Sequence, residues 1–418
     1  MRKTGYLAGL AGAFVLNLAG SAGAQAPAKP PEPPKAWSDT VKFYGHLESG
    51  MTFKGDGPSN GLNFGHLFTD RSNALLLNQF LLTVERPLDP KAPGFDFGFK
   101  FQFMYGTDAR YTHFLGELDR VTGKRGQLDI VEAFGIVHLP WLTEGGIDVK
   151  FGQFVTLEGA EVIDAKGNFF YSHSYIFNFG IPFKHTGFMT ITHLNPMIDI
   201  YAGLTTGVNT TFGRGDNNGA LAFHGGIGFN LFEGALTILA TTHIGPENPR
   251  GTPGINVNSD LRYLNDITIT WKATDKLTFM ADFNYIRDDG FKADGYGGAL
   301  YATYALNEWL KLGIRGEIWH DNTGFFVAAF PGNLDFNNLL RGRPSGAVSG
   351  GRTTYGAITF GANISPPIPG IPKAFEGILF RPEIRYDRSL NGKRPFDAGT
   401  SSSQFTFGAD LIIPFSIF

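Results

Sequence analysis

Between Phe95 and Phe103 the chain reads FDFGFKFQF: a phenylalanine stands at every second position, with Asp96, Gly98, Lys100 and Gln102 between them. Successive side chains of a β-strand point to opposite faces, so the rings share one face and the polar residues the other. A soluble sheet buries such a face under a second layer. A membrane barrel turns it toward lipid and keeps the polar face around an aqueous lumen. The alternation recurs. Lys42–Phe53 sets Phe43, Leu47, Met51 and Phe53 against His46 and Glu48, and Ile147–Val155 sets Ile147, Val149 and Phe151 against Asp148 and Lys150. Further strands are predicted at Ala74–Glu85, Leu128–His138, His185–Leu194, Ile198–Val208, Ala220–Leu231, Ala235–Ile244 and Leu261–Lys272. The series continues with Leu277–Arg287, Tyr296–Leu306, Trp309–His320, Thr353–Ile364, Ile378–Arg388 and Gln404–Ile417. The total is about 16, an even number, as in bacterial barrels whose two ends lie on one side.

Two strands leave their phase open. In Leu128–His138, Glu132 shares a parity with Ile130 and Phe134. In the last strand Phe405, Phe407, Leu411, Ile413, Phe415 and Ile417 share one parity, but Phe418 falls on the other. Either a bulge near Pro414 resets the phase, or Phe418 lies beyond the ladder.

The connections alternate in length. Long ones are predicted near 54–72, 106–126, 156–184, 245–260, 321–352 and 389–403, with short turns such as Leu194–Met197, Phe232–Gly234 and Ala273–Lys276 between them. Short periplasmic turns and long outer loops are the barrel rule. Residues 365–376 are too long for a turn, and 288–295 too short for an outer loop. Trp141, Trp271 and Trp309 all adjoin short turns, which suits an aromatic girdle at one membrane interface. The expected fold is all-β: a transmembrane antiparallel up-and-down β-barrel of about 16 strands over 41–418.

Composition agrees. Charged residues are 17%, below the roughly 25% of soluble domains. The mean hydropathy of −0.07 is too low for a helical membrane protein and fits a barrel with half its side chains in water. No cysteine is present, which excludes thiolate chemistry and disulfides. The net charge of −3 gives no basic footprint for nucleic acid. Arg2 and Lys3 precede an apolar run, Leu7 to Leu18, and then Ala22-Gly23-Ala24. This reads as a secretory signal peptide over 1–24, too short to span a bilayer, which takes about 20 residues. Its removal would leave 33 basic residues (35 − 2) against 38 acidic ones, a net charge of −5. Residues 25–40 form a Pro-rich periplasmic segment, a stiff tether.

The connection 156–184 is acidic first (Glu158, Glu161, Asp164) and then aromatic (Phe169, Phe170, Tyr171, Tyr175, Phe177, Phe179). Exposing six aromatics is costly, and the inside of a wide barrel can receive them. The expectation is an inward-folded third outer loop, with its three acids at a pore constriction and its aromatics wedged on the wall. From Gly152-Gln153-Phe154 through Glu161, Asn168, Tyr171-Ser172 and Pro182 to Gly187, the stretch resembles the OmpL-like β-barrel porin family. The resemblance implies an outer-membrane barrel of porin type, with no catalytic residues and no named substrate.

Strand parity supplies lumen candidates. Arg381, Glu383, Arg385 and Asp387 alternate with Phe380, Pro382, Ile384 and Tyr386; Arg315 and Glu317 alternate with Leu312, Ile314 and Ile318; Asp282 and Asn284 oppose Phe279 and Phe283. Arg or Lys on a lipid face costs about 2–4 kcal/mol at the midplane, so these charges belong inside. Arg315, Arg381 and Arg385 either face the acidic loop across the pore or brace the wall as an ion-pair network. No nucleophile, base and orienter converge, so no enzyme, cofactor or metal is expected. The reading is passive diffusion of small hydrophilic solutes or ions through the outer membrane. Outer-membrane lipid and the barrel-assembly machinery are the expected partners, and the barrel's size is compatible with a homotrimer. The alternative is a structural or adhesive barrel with a closed lumen and partner-binding loops.

Overall fold

The alternating segments pair into one closed ring. The structure is a computed structural model, described over residues 40–55, 57–89, 94–119 and 121–416. Its barrel strands are β1 Lys42–Phe53, β2 Leu75–Arg86, β3 Asp96–Gly106, β4 Gln127–Leu139, β5 Ile147–Val155, β6 Lys184–Asn195, β7 Ile198–Thr205 and β8 Ala222–Leu231. They continue as β9 Leu236–Pro246, β10 Leu261–Lys272, β11 Leu277–Asp288, β12 Ala293–Ala305, β13 Leu310–Asp321, β14 Thr353–Ile364, β15 Leu379–Ser389 and β16 Ser403–Ser416. Each pairs antiparallel with its sequence neighbours, and β1 closes on β16 from Tyr44↔Ser416 to Phe53↔Phe407. Closure leaves no unpaired edge, which a lipid-embedded sheet requires. No described helix is long and apolar enough to cross a membrane.

The side chains sort by parity. Phe97, Phe101 and Tyr105 on β3 are exposed, while Asp96, Gln102 and Met104 are buried. On β16, Phe405, Phe407 and Leu411 are exposed, while Gln404, Thr406 and Asp410 are buried. The outer face of the ring is apolar and the polar set lies inside. Trp141, Trp271 and Trp309, at the short-turn end, are exposed. We expect Phe101→Lys to cost about 2–4 kcal/mol of barrel stability, measured by equilibrium unfolding in phospholipid vesicles. An unchanged stability would mean that this face does not meet lipid.

Local irregularities settle the ambiguous phases. On β4, Gln102 pairs with Glu132 but Phe103 pairs with Ile130, so Val131 is the extra residue of a β-bulge. The bulge reverses parity: Ile130 lies on the outer face beside Phe103, and Glu132 inside beside Gln102. A matching bulge on β2 places Asn78 and Gln79, consecutive residues, both fully buried. The proposed bulge near Pro414 is absent, because the β1–β16 ladder passes His46↔Pro414 without a shift. Phe418, the signal segment and the Pro-rich tether lie outside the described residues.

Long connections alternate with short ones around the ring. Residues 365–378 are long, and 289–292 form a tight turn, as their sequence indicated. The connection 322–352 carries a short helix, Asp335–Leu340. It reaches from β13 to the far side of the ring. There the Gln127 side chain donates to the Asn333 carbonyl (2.9 Å), and the Asn217 side chain to the Leu340 carbonyl (3.2 Å).

Candidate functional site

Residues 156–183 leave β5 and enter β6 at the paired positions Val155 and Lys184. Apart from a turn at Ala165–Gly167 and a wide helical turn at Ile176–Gly180, the segment has no regular structure. Its buried amides and carbonyls therefore need other partners, and inward-facing strand side chains supply them. The Gly159 and Ala160 amides donate to Asp266 on β10 and Asp282 on β11, both at 3.0 Å. The Gln79 side chain on β2 donates to the Ile163 carbonyl at 2.7 Å. On β15, Arg381 donates to the Ala165 and Asn168 carbonyls (2.8 and 2.7 Å), and Glu383 accepts the Tyr171 and Ser172 amides (3.0 and 3.1 Å). Arg315 on β13 and Arg385 on β15 donate to the carbonyls of Ser172 and His173, each at 2.8 Å. Glu317 accepts the Tyr175 amide at 2.7 Å, and Asp387 the Tyr175 hydroxyl at 3.0 Å.

The aromatic half is accommodated by small residues on the wall. A Cβ at Gly313 would come within 2.2 Å of the Phe169 ring, and one at Gly50 within 2.4 Å of the Tyr171 ring. Phe170, Tyr175, Phe177, Phe179 and Phe183 join one apolar cluster. The cluster also takes in Phe64 and Phe68 of 54–74, Tyr111, Phe330 and Phe396. Phe68 meets Phe177 edge-on at 5.3 Å, and Tyr175 stacks on Tyr355 at 5.0 Å, arrangements that aromatic quadrupoles favour.

The three acids of the segment do not converge. Glu161 sits between Arg315 (2.7 Å) and His173 (3.0 Å), and it also accepts from the Ser174 amide and the Tyr301 hydroxyl. Burial alone would raise its pKa. The Arg315 charge and the donated bonds outweigh burial and bring it down to about 2. Glu158 is equally buried beside Asp266 and accepts no hydrogen bond among the described residues. Burial first, and then the Asp266 charge, push its carboxyl well above the usual range. Asp164 is only half-buried. It caps the Ala165–Gly167 turn through the Lys166 amide and lies 3.7 Å from the His46 ring.

Four of the six predicted wall residues form one ion-pair chain, while Arg381 pairs elsewhere and Glu383 accepts loop amides. Arg315 contacts Glu317 (3.3 Å), Glu317 contacts Arg385 (3.2 Å), and Arg385 binds Asp387 through Nε (3.0 Å). Arg381 binds Asp410 (3.0 Å) and Glu48 (3.2 Å). Of the two readings of the arginines, the contacts are those of a bracing network that takes in the loop: Arg315 pairs with Glu161, and all three arginines donate to loop carbonyls. A guanidinium presents five donors in a fixed fork, so each arginine neutralises wall carboxylates and still satisfies loop carbonyls. Asp410 and Asp266 were not singled out from the sequence, although each, like Glu48, occupies an inward position of an alternating strand.

The histidines, far apart in sequence, are mostly paired in space. His66 meets Asp387 (3.2 Å), His173 meets Glu161, and His138, Asp148, His193 and Asp199 form a chain across β4 to β7. His185, His224 and His243 pack ring against ring at 4.4–5.6 Å. Among the described residues no group of histidine and acidic side chains is placed to hold a metal ion. At the outer end, Asp119, Arg214, Asn337, Arg341 and Arg343 help line a cavity of about 740 Å³.

The family described as "Putative beta-barrel porin-2, OmpL-like" matches residues 40–415. The chain belongs to this porin family. It is an outer-membrane β-barrel of porin type, and the family and fold point to a channel rather than an enzyme. Solved porins share the fold at low identity. The outer-membrane channel DcaP of Acinetobacter baumannii matches with a TM-score of 0.53 and 14% identity, over 90% of this chain and 97% of that one. OmpF of Salmonella typhi, in complex with daunomycin, gives 0.56 and 9%, over 91% and 99%. An anion-selective porin from Comamonas acidovorans gives 0.53 and 10%, over 90% and 99%. Among curated proteins none matches the porin's sequence.

Proposed function

We propose that this porin lets small hydrophilic solutes or ions diffuse passively through a water-filled barrel narrowed by 156–184. One observation carries the reading: this single segment is bonded to the inward faces of β2, β10, β11, β13 and β15. A segment tied to so many sides of a ring lies across its opening. Glu158, Glu161 and Asp164, with Arg315, Glu317, Arg381, Glu383, Arg385 and Asp387, then surround the narrowed passage. They place fixed charges that favour polar solutes over apolar ones. The solute gradient drives transport, and no catalytic step is assigned to any residue. Export follows cleavage of 1–24, and the barrel-assembly machinery inserts the chain. A homotrimer suits this barrel, as in the trimer form of Vibrio cholerae OmpT, a fold relative.

A second reading is favoured by the apolar cluster that unites five outer connections and Phe396. In that reading the lumen stays closed and the loops bind a partner. Planar-bilayer recording separates the two. The porin reading expects discrete open-channel steps from the detergent-purified protein; a silent bilayer despite a heat-modifiable, folded barrel would favour the closed scaffold.

A further inference from the structure

Ala133, Gln153 and Thr186 form one row across β4, β5 and β6, on the outside of the ring. They share their face with Phe151 and Phe188, whose exposed rings pair two residues nearer the membrane centre, a distance of about 7 Å along the strands. Parts of the connections from β3 to β4 and from β7 to β8 lie over this row. The Gln153 side chain donates to Glu117 of the first. The two connections touch at Gly116, where a Cβ would come within 3.0 Å of the Arg214 carbonyl. Between them and the row is a cavity of about 540 Å³. The cavity of about 740 Å³ at the outer end adjoins it, since Gly116 and Arg214 help line both.

The two linings differ. In the smaller cavity polar groups lack partners. Thr186 is 3% exposed, and its hydroxyl has no hydrogen-bond partner among the described residues. With the Gln153 amide given to one Glu117 oxygen, the Gln153 Oε1 and the Glu117 Oε2 are left without a donor there. The larger cavity is cationic: Arg214, Arg341 and Arg343 face Asp119 alone among its acidic lining. Asp119 is already engaged by Arg341 and lies 3.1 Å from the His113 ring. Neither Arg214 nor Arg343 has a side-chain partner among the described residues.

Free guanidinium forks match the paired oxygens of a phosphate. A bare hydroxyl beside two bare acceptors calls for a ligand with O–H or N–H donors of its own. A phosphorylated sugar carries both sets. Volumes of this size are those of small-molecule sites. The position names the source. These cavities lie on the flank of the barrel, outside the lumen and just beyond lipid-facing rings, at the depth of the outer leaflet's headgroups. Phe212, on the lining of the smaller cavity, is 68% exposed and gives an acyl chain an apolar edge.

We propose that the joined cavities bind the phosphorylated-sugar headgroup of an outer-leaflet glycolipid. Its phosphates sit on Arg214 and Arg343, and its hydroxyl or amide groups on Thr186, Gln153 and Glu117. The site depends on the barrel's seat in the outer membrane and not on an open lumen.

Native mass spectrometry tests it on the detergent-solubilised protein, offered equimolar diphosphoryl lipid A and phosphatidylglycerol. The wild type should retain lipid A several-fold over phosphatidylglycerol. R214Q/R343Q should lower the lipid A adduct several-fold. T186V should shrink the preference for lipid A, because its hydroxyl meets the sugar. R388Q removes an exposed guanidinium from the outer end of β15, far from β5 in the ring, and should change nothing. Equal losses in R388Q and R214Q/R343Q would reduce the effect to surface charge and overturn the proposal. R343Q alone, at an exposed position, carries the comparison should the double variant misfold.

Heating distinguishes the source of the phosphate. Lipid A should raise the temperature at which the folded gel band is lost in the wild type but not in R214Q/R343Q, since a ligand of the folded state stabilises it. Glucose 1-phosphate and inorganic phosphate at the same concentration should not. An equal rise with either would make the ligand a soluble phosphate and overturn the lipid assignment. A folded R214Q/R343Q that retains lipid A at the wild-type level also overturns it. If light scattering then shows a changed oligomeric size, the cavities serve contact between copies of the chain instead.

Discussion

Deleting residues 160–178 raises the single-channel conductance several-fold. The current through a water column grows with its narrowest cross-section, and this segment is bonded to the inward faces of five strands. The deletion leaves 156–159 and 179–183 to join β5 and β6, which pair at their ends through Val155↔Lys184, so the strand ladder keeps every pairing. The barrel should retain its heat-modifiable gel mobility. The lost apolar contacts come from the interior of the loops and not from the lipid face, so membrane insertion is unaffected. The check is single-channel recording of wild type and deletion side by side. Equal conductances would show that the narrowest point lies elsewhere, and the assignment of 156–184 as the constriction would fall.

The second large effect is expected from Arg381→Ala. The guanidinium holds Asp410 and Glu48, both buried, and at the same time the Ala165 and Asn168 carbonyls. Removing one partner of a buried ion pair costs about 3–5 kcal/mol, because the remaining charge stays uncompensated. The ladders of β15 with β14 and β16 are main-chain bonds and survive the substitution. The loss therefore falls on the seating of 156–183. We expect new protease cleavage between 160 and 178 with the barrel core intact, read by limited proteolysis and mass spectrometry. Arg381→Lys should rescue little, because an ammonium cannot reproduce the planar fork. Full protease resistance in Arg381→Ala would mean that the aromatics alone hold the segment.

Much of this architecture is written in local alternation. Phe95 to Phe103 announces its two faces without reference to any other residue, since a strand's side-chain period is two. The short turns and the parity of Arg381, Glu383, Arg385 and Asp387 follow from the same rule. Parity becomes unreadable where one extra residue is inserted. Nothing within Leu128–His138 marks Val131 as the bulge, because the shift exists only relative to the β3 register. The paired histidines were hidden for a related reason: His66 and Asp387 are 321 positions apart and meet only when the ring closes.

By itself the sequence determined which side of each strand is apolar, where the connections run long, and that 156–184 carries acids followed by aromatics. Those are properties of neighbours a few residues apart. Only the tertiary structure decided what each loop charge meets: Glu161 an arginine, Asp164 an imidazole, and Glu158 the carboxylate of Asp266. Such partnerships depend on distances across a closed ring, and a linear chain does not encode those distances until its first and last strands have paired.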